Sequence, residues 1–267
     1  MTAVDYRGQT TLITGASAGL GVEFARRLAE RGSDLVLVAR RRQRLEELAE
    51  QLRAQHRIKV HVVDMDLATD RPGQALAAEM QRLGVHVTSV VNNAGFANYG
   101  PFHEADPQRL QQEIAVDVTA VADISRAFIE QLRTAGCGVL INVASMAAYQ
   151  ANPRLALYGA AKAFVLSLTE ALWAESRGTG LRVLALSPGA TRTEFFDVSG
   201  STQVAGARRP AEPADVVRTA LDALDRRNPP PSVIAGRSNR VLAFVARRLL
   251  TRRQVIRAVG RLTAETA

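Results

Sequence analysis

The sequence contains very little cysteine and lysine. Cys137 is the single cysteine among 267 residues, so no disulfide can form within the chain, as is typical of a reducing compartment. Because Cys137 stands at the start of an apolar stretch, we expect it to be a small buried residue at the beginning of a strand. Lys59 and Lys162 are the only lysines, and arginine supplies the rest of the positive charge.

Patterns for metal binding and membrane insertion are missing as well. The 4 histidines are scattered without the spacing of metal ligands, so we predict no metal site. There is neither an apolar leader at the N-terminus nor an uninterrupted apolar run long enough to span a bilayer. The sequence therefore predicts a cytoplasmic protein.

Short apolar strands alternate with helices along most of the chain. We predict strands at residues 10–14, 34–39, 58–63, 87–91, 139–143, 181–186 and 232–235, and long helices at 107–133 and 153–177. Continuous apolar strands joined by helices need a parallel sheet that is covered on both faces. The sequence predicts an α/β fold with a doubly wound parallel sheet of about seven strands, a Rossmann fold, which binds ligands beyond the carboxyl ends of its strands.

The turn after the first strand is rich in glycine. Glycines at a strand–helix junction let backbone N–H groups approach a pyrophosphate at the N-terminus of the helix. Tight packing of the turn is the alternative explanation. We expect the phosphates of a dinucleotide to contact Gly15, Ser17, Gly19, Leu20 and Gly21.

The second strand ends in three arginines, where NAD-binding folds place an acid for the ribose 2′-hydroxyl. Arg40 and Arg41 can instead neutralise a 2′-phosphate. They could also be the solvated first turn of a helix, but a helix N-terminus disfavours cations unless an anion is bound. NADP(H) is therefore the predicted cofactor. Further contacts are expected near the adenine and beneath the nucleotide, from Asp66, Leu67, Asn93, Ala94 and Gly95.

A serine, a tyrosine and a lysine are the candidate catalytic residues. Tyr158 and Lys162 are four residues apart, so they project from one face of a helix. A cation one turn away favours the phenolate and lowers the pKa of the tyrosine, which makes it a proton donor and acceptor. Ser145 could hold a carbonyl oxygen beside it. Alone, the tyrosine–lysine pair also occurs by chance in amphipathic helices.

These motifs together resemble the short-chain dehydrogenase/reductase family over roughly residues 8–240. The resemblance implies that Tyr158 is the general acid–base, that Lys162 holds the nicotinamide ribose, and that Ser145 orients the substrate carbonyl. It also implies hydride exchange between nicotinamide and a carbonyl carbon, and a homodimer or homotetramer. Further cofactor contacts that it implies are Tyr158, Lys162, Pro188, Gly189, Thr191 and Thr193.

Asp117 departs from the pattern of the family, which usually has an asparagine at this place in the long helix. In the family, the asparagine helps to hold a water that links the lysine to solvent. An aspartate accepts the same hydrogen bonds but cannot donate like an amide. If ionised, it would strengthen the charge on Lys162; if buried, it could be protonated. We expect activity to persist with a changed pH profile.

The substrate side is predicted to be mostly apolar, with contacts from Phe96, Met146, Tyr149 and Phe195. No charged residue is clearly placed to bind a carboxylate or phosphate, with Arg154 and Arg192 as exceptions. The predicted function is an NADP(H)-dependent oxidoreductase acting on a hydrophobic ketone, aldehyde or secondary alcohol. Two alternatives stay open: an NADP(H)-binding sensor or scaffold, which Asp117 favours, and an epimerase. Residues 190–212 could form a lid over the pocket.

Much of the positive charge lies near the C-terminus. The formal net charge is +8, and residues 226–264 contain ten arginines and no acid. We expect residues 239–267 to be a basic amphipathic helical extension of a domain formed by residues 1–238. Such a helix can lie on an anionic membrane, dock on its own domain, cover the substrate entrance or form a subunit interface. Nucleic acid is not expected, because interleaved aromatic residues are missing.

Overall fold

Seven parallel strands form one sheet in the order β3-β2-β1-β4-β5-β6-β7 in the computed structural model, which describes residues 3–195 and 210–262. The strand order reverses between β1 and β4, so the crossovers run in both directions and the helices cover both faces. This confirms the predicted doubly wound fold. The strands are β1 (Thr10–Thr14), β2 (Asp34–Ala39), β3 (Val60–Asp64), β4 (Ser89–Asn92), β5 (Val139–Val143), β6 (Arg182–Ser187) and β7 (Ser232–Ile234).

Apolar side chains leave both faces of the strands and meet two separate groups of helices. Successive residues of β1 point to opposite sides, so Ile13 joins one core and Leu12 the other. The first core packs against α1, α2 and α7, and the second against α3 and α5. The helices are α1 (Gly19–Glu30), α2 (Arg42–His56), α3 (Pro72–Leu83), α4 (Pro107–Ile114), α5 (Ala120–Ala135), α6 (Ala156–Glu175), α7 (Pro213–Leu224), α8 (Arg237–Arg248) and α9 (Arg252–Leu262).

The long helix predicted for residues 107–133 is helical throughout, but it is not an α-helix along its whole length. A π-helical turn, Ala115–Thr119, separates α4 from α5. A π turn contains one residue more per turn than an α-helix, and such turns are frequent at functional sites. Asp117 lies in this turn, where it accepts a hydrogen bond from Phe96 N (3.0 Å) in the loop after β4. The interruption therefore occurs where the helix is bound to that loop.

The C-terminal segment contains two helices rather than one. Thr251 and Gln254 start α9 with reciprocal hydrogen bonds: Thr251 N donates to Gln254 Oε1 (2.9 Å), and Gln254 N donates to Thr251 Oγ1 (3.3 Å). This is a capping box, a local signal that overrides the apolar periodicity. The preceding helix, α8, docks on the sheet domain through the buried Ala243 and through Asn239 Nδ2, which donates to Ala235 O (2.7 Å).

Two smaller expectations also need correction. Cys137 is exposed, because it lies in the turn between α5 and β5, flanked by Gly136 and Gly138 with positive φ, and not in the strand. Several strands and helices begin or end a few residues from the predicted positions, as for α6. Within residues 3–195 and 210–262, no helix combines the length and the apolar character that crossing a membrane requires.

Candidate active site

A cavity of about 580 Å³ lies at the carboxyl ends of β1, β2, β4, β5 and β6. Most of the residues predicted for the site line it, although they come from loops far apart in the sequence. Gly21, Asp117 and Tyr149 do not belong to its wall. The predicted residues that line it are Gly15, Ser17, Gly19, Leu20, Arg40, Arg41, Asp66, Leu67, Asn93, Ala94, Gly95, Phe96, Ser145, Met146, Tyr158, Lys162, Pro188, Gly189, Thr191, Thr193 and Phe195.

The glycine turn brings backbone close to one end of the cavity. Gly15 and Gly19 have positive φ values of 65° and 54°, a conformation that glycine adopts without strain. A Cβ on Gly21 would lie 2.2 Å from Gly15 O, so this glycine allows α1 to cross the turn. The tight-packing explanation therefore applies to Gly21. The N-terminus of α1 at Gly19 faces the cavity, which is the arrangement that binds a pyrophosphate.

The loop after β4 is fixed to this turn by Thr14. Its Oγ1 accepts hydrogen bonds from Asn93 N (2.9 Å) and Ala94 N (3.0 Å). In return, Asn93 Nδ2 donates to Thr14 O (2.9 Å). These hydrogen bonds fix the two loops relative to each other. Ala94 and Gly95 in the second loop line the cavity.

Arg41 lies at the end of the cavity nearest β2. Its Nε donates to Ser17 Oγ (3.1 Å), and its Nη1 donates to Glu194 Oε2 (2.8 Å). Arg44 donates to the other oxygen of Glu194 (2.6 Å), and hydrogen bonds from both arginines lower the pKa of that carboxyl. Arg40 is 76% exposed and only reaches 4.0 Å from Asp66. Arg41 thus already has a carboxylate partner, Glu194, at this end of the cavity.

Tyr158 and Lys162 are both buried on α6, with Lys162 Nζ 5.6 Å from the centroid of the tyrosine ring. Burial raises the pKa of Tyr158 above its usual value, although attraction to Lys162 and a hydrogen bond with Ser145 oppose the rise. The predicted lowering of the pKa by Lys162 is therefore present, but burial outweighs it. Ser145 caps the turn after β5, where its Oγ accepts a hydrogen bond from Ala147 N (3.1 Å).

Asp117 lies behind Lys162 and is fully buried, away from the cavity wall. Its Oδ2 is 3.3 Å from Lys162 Nζ, which is an ion-pair distance. Burial raises the pKa of Asp117, whereas the carboxylate keeps the pKa of Lys162 above its usual value despite burial. A Cβ on Gly95 would lie 2.8 Å from Asp117 Oδ1 and 3.0 Å from Lys162 Nζ, so this glycine leaves room for the pair.

The substrate side differs from prediction at one aromatic residue. Phe96, Met146 and Phe195 line the cavity, and the rings of Phe195 and Tyr158 have centroids 5.4 Å apart. Tyr149 lies outside the wall, with its ring beneath Arg247 of α8 (5.5 Å). It supports the C-terminal segment instead of contacting the cavity. Phe196 and the rest of residues 196–209, which include most of the predicted lid, lie outside the described residues.

A charged residue on the substrate side was missed. Arg109 of α4 lines the cavity and lies over the ring of Phe96, 5.1 Å from its centroid, whereas Arg154 and Arg192 are not part of the wall. Gln112 and Val116 line the same side at helical spacing. The start of the predicted long helix at the carboxyl end of β4 was the signal that could have identified this face. Gln150, Asn152 and Leu155 complete the missed part of the wall.

A parallel sheet of this kind binds its ligand across the strand ends, and Tyr158 and Lys162 line the cavity at that same place. Fold and cavity thus define an oxidoreductase of the dinucleotide-binding class. Residues 9–203 match the family model for short chain dehydrogenase, and the chain belongs to this family. The family resemblance of its motifs is therefore confirmed.

Relatives of known name cover most of the chain. Sulfoacetaldehyde reductase 2 of Chromohalobacter salexigens is 36% identical over 197 residues, which are 73% of this chain and 77% of the relative. A short-chain dehydrogenase from Sphingobium yanoikuyae, solved in complex with NADPH, is 33% identical with a TM-score of 0.77 and covers 85% of this chain and 86% of its own. A 7β-hydroxysteroid dehydrogenase structure is 27% identical with a TM-score of 0.85, covering 97% of this chain and 100% of its own.

Proposed function

We propose that the protein is an NADP(H)-dependent oxidoreductase that exchanges hydride with a hydrophobic ketone, aldehyde or secondary alcohol. One observation carries the proposal: a single cavity joins the glycine turn and Arg41 at one end to Tyr158 and Lys162 at the other. The dinucleotide thus has its anion-binding elements at one end, and the group able to move a proton stands at the opposite end. The single cysteine favours the reducing cytoplasm as the place of action.

The side chains of the site have separate roles in carbonyl reduction. Bound NADPH supplies the hydride. The Ser145 hydroxyl donates a hydrogen bond to the carbonyl oxygen, and the Tyr158 hydroxyl transfers its proton to that oxygen as negative charge develops. The Lys162 ammonium stabilises the phenolate that remains, and so offsets the burial that opposes its ionisation. Alcohol oxidation follows the same path in reverse, with the Tyr158 phenolate accepting the proton.

Arg41 is the proposed contact for the 2′-phosphate, because it lies against Ser17 at the cavity end after β2. We expect Arg41→Ala to weaken NADPH binding about 10- to 100-fold, since a hydrogen bond to a charged group contributes about 1.5–3 kcal/mol. Binding of NADH, which lacks the phosphate, should change little. Fluorescence titration with both cofactors measures the effect.

Arg40→Ala is the matched control, because Arg40 follows the same strand but is 76% exposed. We expect a smaller loss of NADPH affinity for it than for Arg41→Ala. Equal weakening of NADPH and NADH by Arg41→Ala would instead show that Arg41 supports the fold of the turn and does not select the phosphate.

The substrate class is proposed from the wall of the cavity. Phe96, Met146, Leu155 and Phe195 give it an apolar side, and Arg109 adds one cation there. Loss of NADPH absorbance is the direct assay, against hydrophobic ketones and aldehydes with and without an acidic group. Because the named relatives act on sulfoacetaldehyde and on 7β-hydroxysteroids, the set includes both kinds of compound. Tight NADPH binding without turnover of any compound would favour the sensor or scaffold alternative.

We further propose a homodimer or homotetramer whose C-terminal segment contacts an anionic membrane surface. In α8, Val241 and Phe244 are 62% and 60% exposed, and Leu249 after it is 68% exposed. Arginines surround these apolar side chains, and no acid lies in residues 237–262. That combination favours an anionic, partly apolar surface over another copy of the same basic segment. Light scattering measures the number of subunits.

Vesicle binding tests the membrane contact. Val241→Ser combined with Phe244→Ser should lower co-sedimentation with phosphatidylserine vesicles several-fold, since both substitutions remove apolar side chains from the outer face of α8. Phe102→Ser is the matched control, because Phe102 is 63% exposed but distant in sequence from α8. Equal binding of both variants and the wild type would rule out α8 as the contact.

A further inference from the structure

Glu113 of α4 is a fully buried carboxyl beside the site, at 0% exposure. Its Oε2 accepts hydrogen bonds from Asn98 N (3.1 Å) and Asn98 Nδ2 (2.6 Å). Its Oε1 accepts none within the described part of the chain. A buried carboxylate oxygen without a partner is costly, and protonation removes that cost.

A second buried carboxyl, Asp117, follows Glu113 by four residues. Its Oδ1 accepts from Phe96 N, while its Oδ2 pairs with Lys162 Nζ at 3.3 Å. The two acids thus hold the same loop, Glu113 through Asn98 and Asp117 through Phe96. Both also lie near Lys162, which is 4% exposed.

The charges in this buried cluster do not balance. The charged groups that act on Glu113 are Asp117 in the π turn and Lys162 on α6, the helix packed beside α4. The loop after β4 faces it with the amide of Asn98, and Tyr158 lies beyond Lys162. Two acids against one base leave an excess negative charge among buried side chains, which favours the retention of one proton.

We propose that Glu113 and Asp117 hold one proton between them beside Lys162, and that Glu113, by releasing it, sets the pH range in which Tyr158 works. Glu113 is then a positioning residue that acts through charge, since it contacts neither the cavity wall nor the reacting atoms. The inference rests on the proposed function, because it needs Tyr158 to be the group that exchanges a proton.

The direction of the effect follows from the sign of the charge. Burial raises the pKa of Glu113 to about 7, and repulsion by Asp117 adds to the rise. Once ionised, Glu113 raises the pKa of both Tyr158 and Lys162. Oxidation of an alcohol needs the Tyr158 phenolate, so an ionised Glu113 moves its onset to higher pH. Proton release from Glu113 therefore raises the pH at which Tyr158 ionises.

Glu113→Gln tests this, because glutamine keeps an oxygen for the Asn98 hydrogen bonds and removes only the titrating proton. We expect the rising limb of the rate of alcohol oxidation against pH to move about 0.5–1 pH unit lower. Glu104→Gln is the matched control on an exposed side chain and should leave the profile in place. Superimposable profiles for Glu113→Gln and the wild type would overturn the proposal, since a purely structural residue has no such pH signature.

Infrared difference spectroscopy of the wild-type protein provides a second test that does not need turnover or a foldable variant. We expect the band of a protonated buried carboxyl to disappear through one transition around neutral pH. In Asp117→Asn, the transition should move to lower pH, because the repelling charge is gone. A wild-type protein with no such band would overturn the proton-sharing pair, whereas the band without turnover on any substrate would count against the proposed function alone.

Discussion

Tyr158→Phe is expected to lower the turnover of NADPH with a carbonyl substrate by about 10²–10⁴-fold, the usual contribution of a positioned general acid. The phenylalanine keeps the ring that packs against Phe195 but has no proton to transfer. Binding of NADPH should stay within a few-fold of the wild type, because the glycine turn and Arg41 are at the other end of the cavity. Stopped-flow absorbance for turnover and fluorescence titration for binding separate the two effects.

Tyr149→Phe is the matched control for this variant. Tyr149 lies in the turn after β5 but outside the cavity wall, and its hydroxyl makes one long contact with Ser187 Oγ (3.4 Å). We expect turnover to change by less than about two- to threefold, since a weak neutral hydrogen bond is the only loss. If Tyr158→Phe lost no more activity than Tyr149→Phe, Tyr158 would not be the acid–base group.

The fold and the family were predictable because their signals are local. Strand 139–143 is predicted at the bounds that the structure has, since a short apolar run between turn residues indicates a buried strand by itself. The glycine turn and the Tyr158–Lys162 spacing are equally local. The rule that parallel strands present their carboxyl ends at one edge then assembles these motifs into one cavity.

The errors at the candidate site arise from contacts between distant parts of the chain. Tyr149 was assigned to the substrate side by its position after β5, but the docking of α8 draws its ring beneath Arg247. Arg109 was missed because helical periodicity alone does not show which face of α4 borders the cavity; the position of α4 after β4 has to be considered as well. The effect of Lys162 on the pKa of Tyr158 was predicted, but the larger opposing effect of burial was not, because helical spacing reveals the neighbouring cation but not the depth of burial. Motif spacing gives partners within one helix; burial depends on the whole fold.

The burial of Glu113 is a further feature that could not be predicted from the sequence. In the sequence it is an ordinary acid in a helix with other polar residues, and solvent exposure is the default for glutamate. The loop after β4 binds it, and its partner Asn98 is fifteen residues away along the chain. The departure at Asp117 was visible, yet its meaning depends on this second acid.

Asp117→Ala is expected to lower the free energy of unfolding by about 3–5 kcal/mol, because removing one partner of a buried ion pair leaves the other charge uncompensated. The charge concerned is Lys162, and the substitution also takes the acceptor from Phe96 N. For proteins of similar size, each kcal/mol corresponds to roughly 2–4 °C in Tm. Thermal unfolding at neutral pH should therefore show a decrease in Tm of about 6–20 °C.

Asp117→Asn should cost less than Asp117→Ala, because the amide oxygen still accepts from Phe96 N. Without repulsion from Asp117, Glu113 ionises more readily and becomes the counter-ion of Lys162. Asp117→Asn combined with Glu113→Gln removes both acids, so its loss of stability should exceed the sum of the single losses by about 0.5–3 kcal/mol, as expected for coupled neighbours. If the loss of stability in the double variant equalled the sum of the two single losses, the two carboxyls would not act together as counter-ions of Lys162.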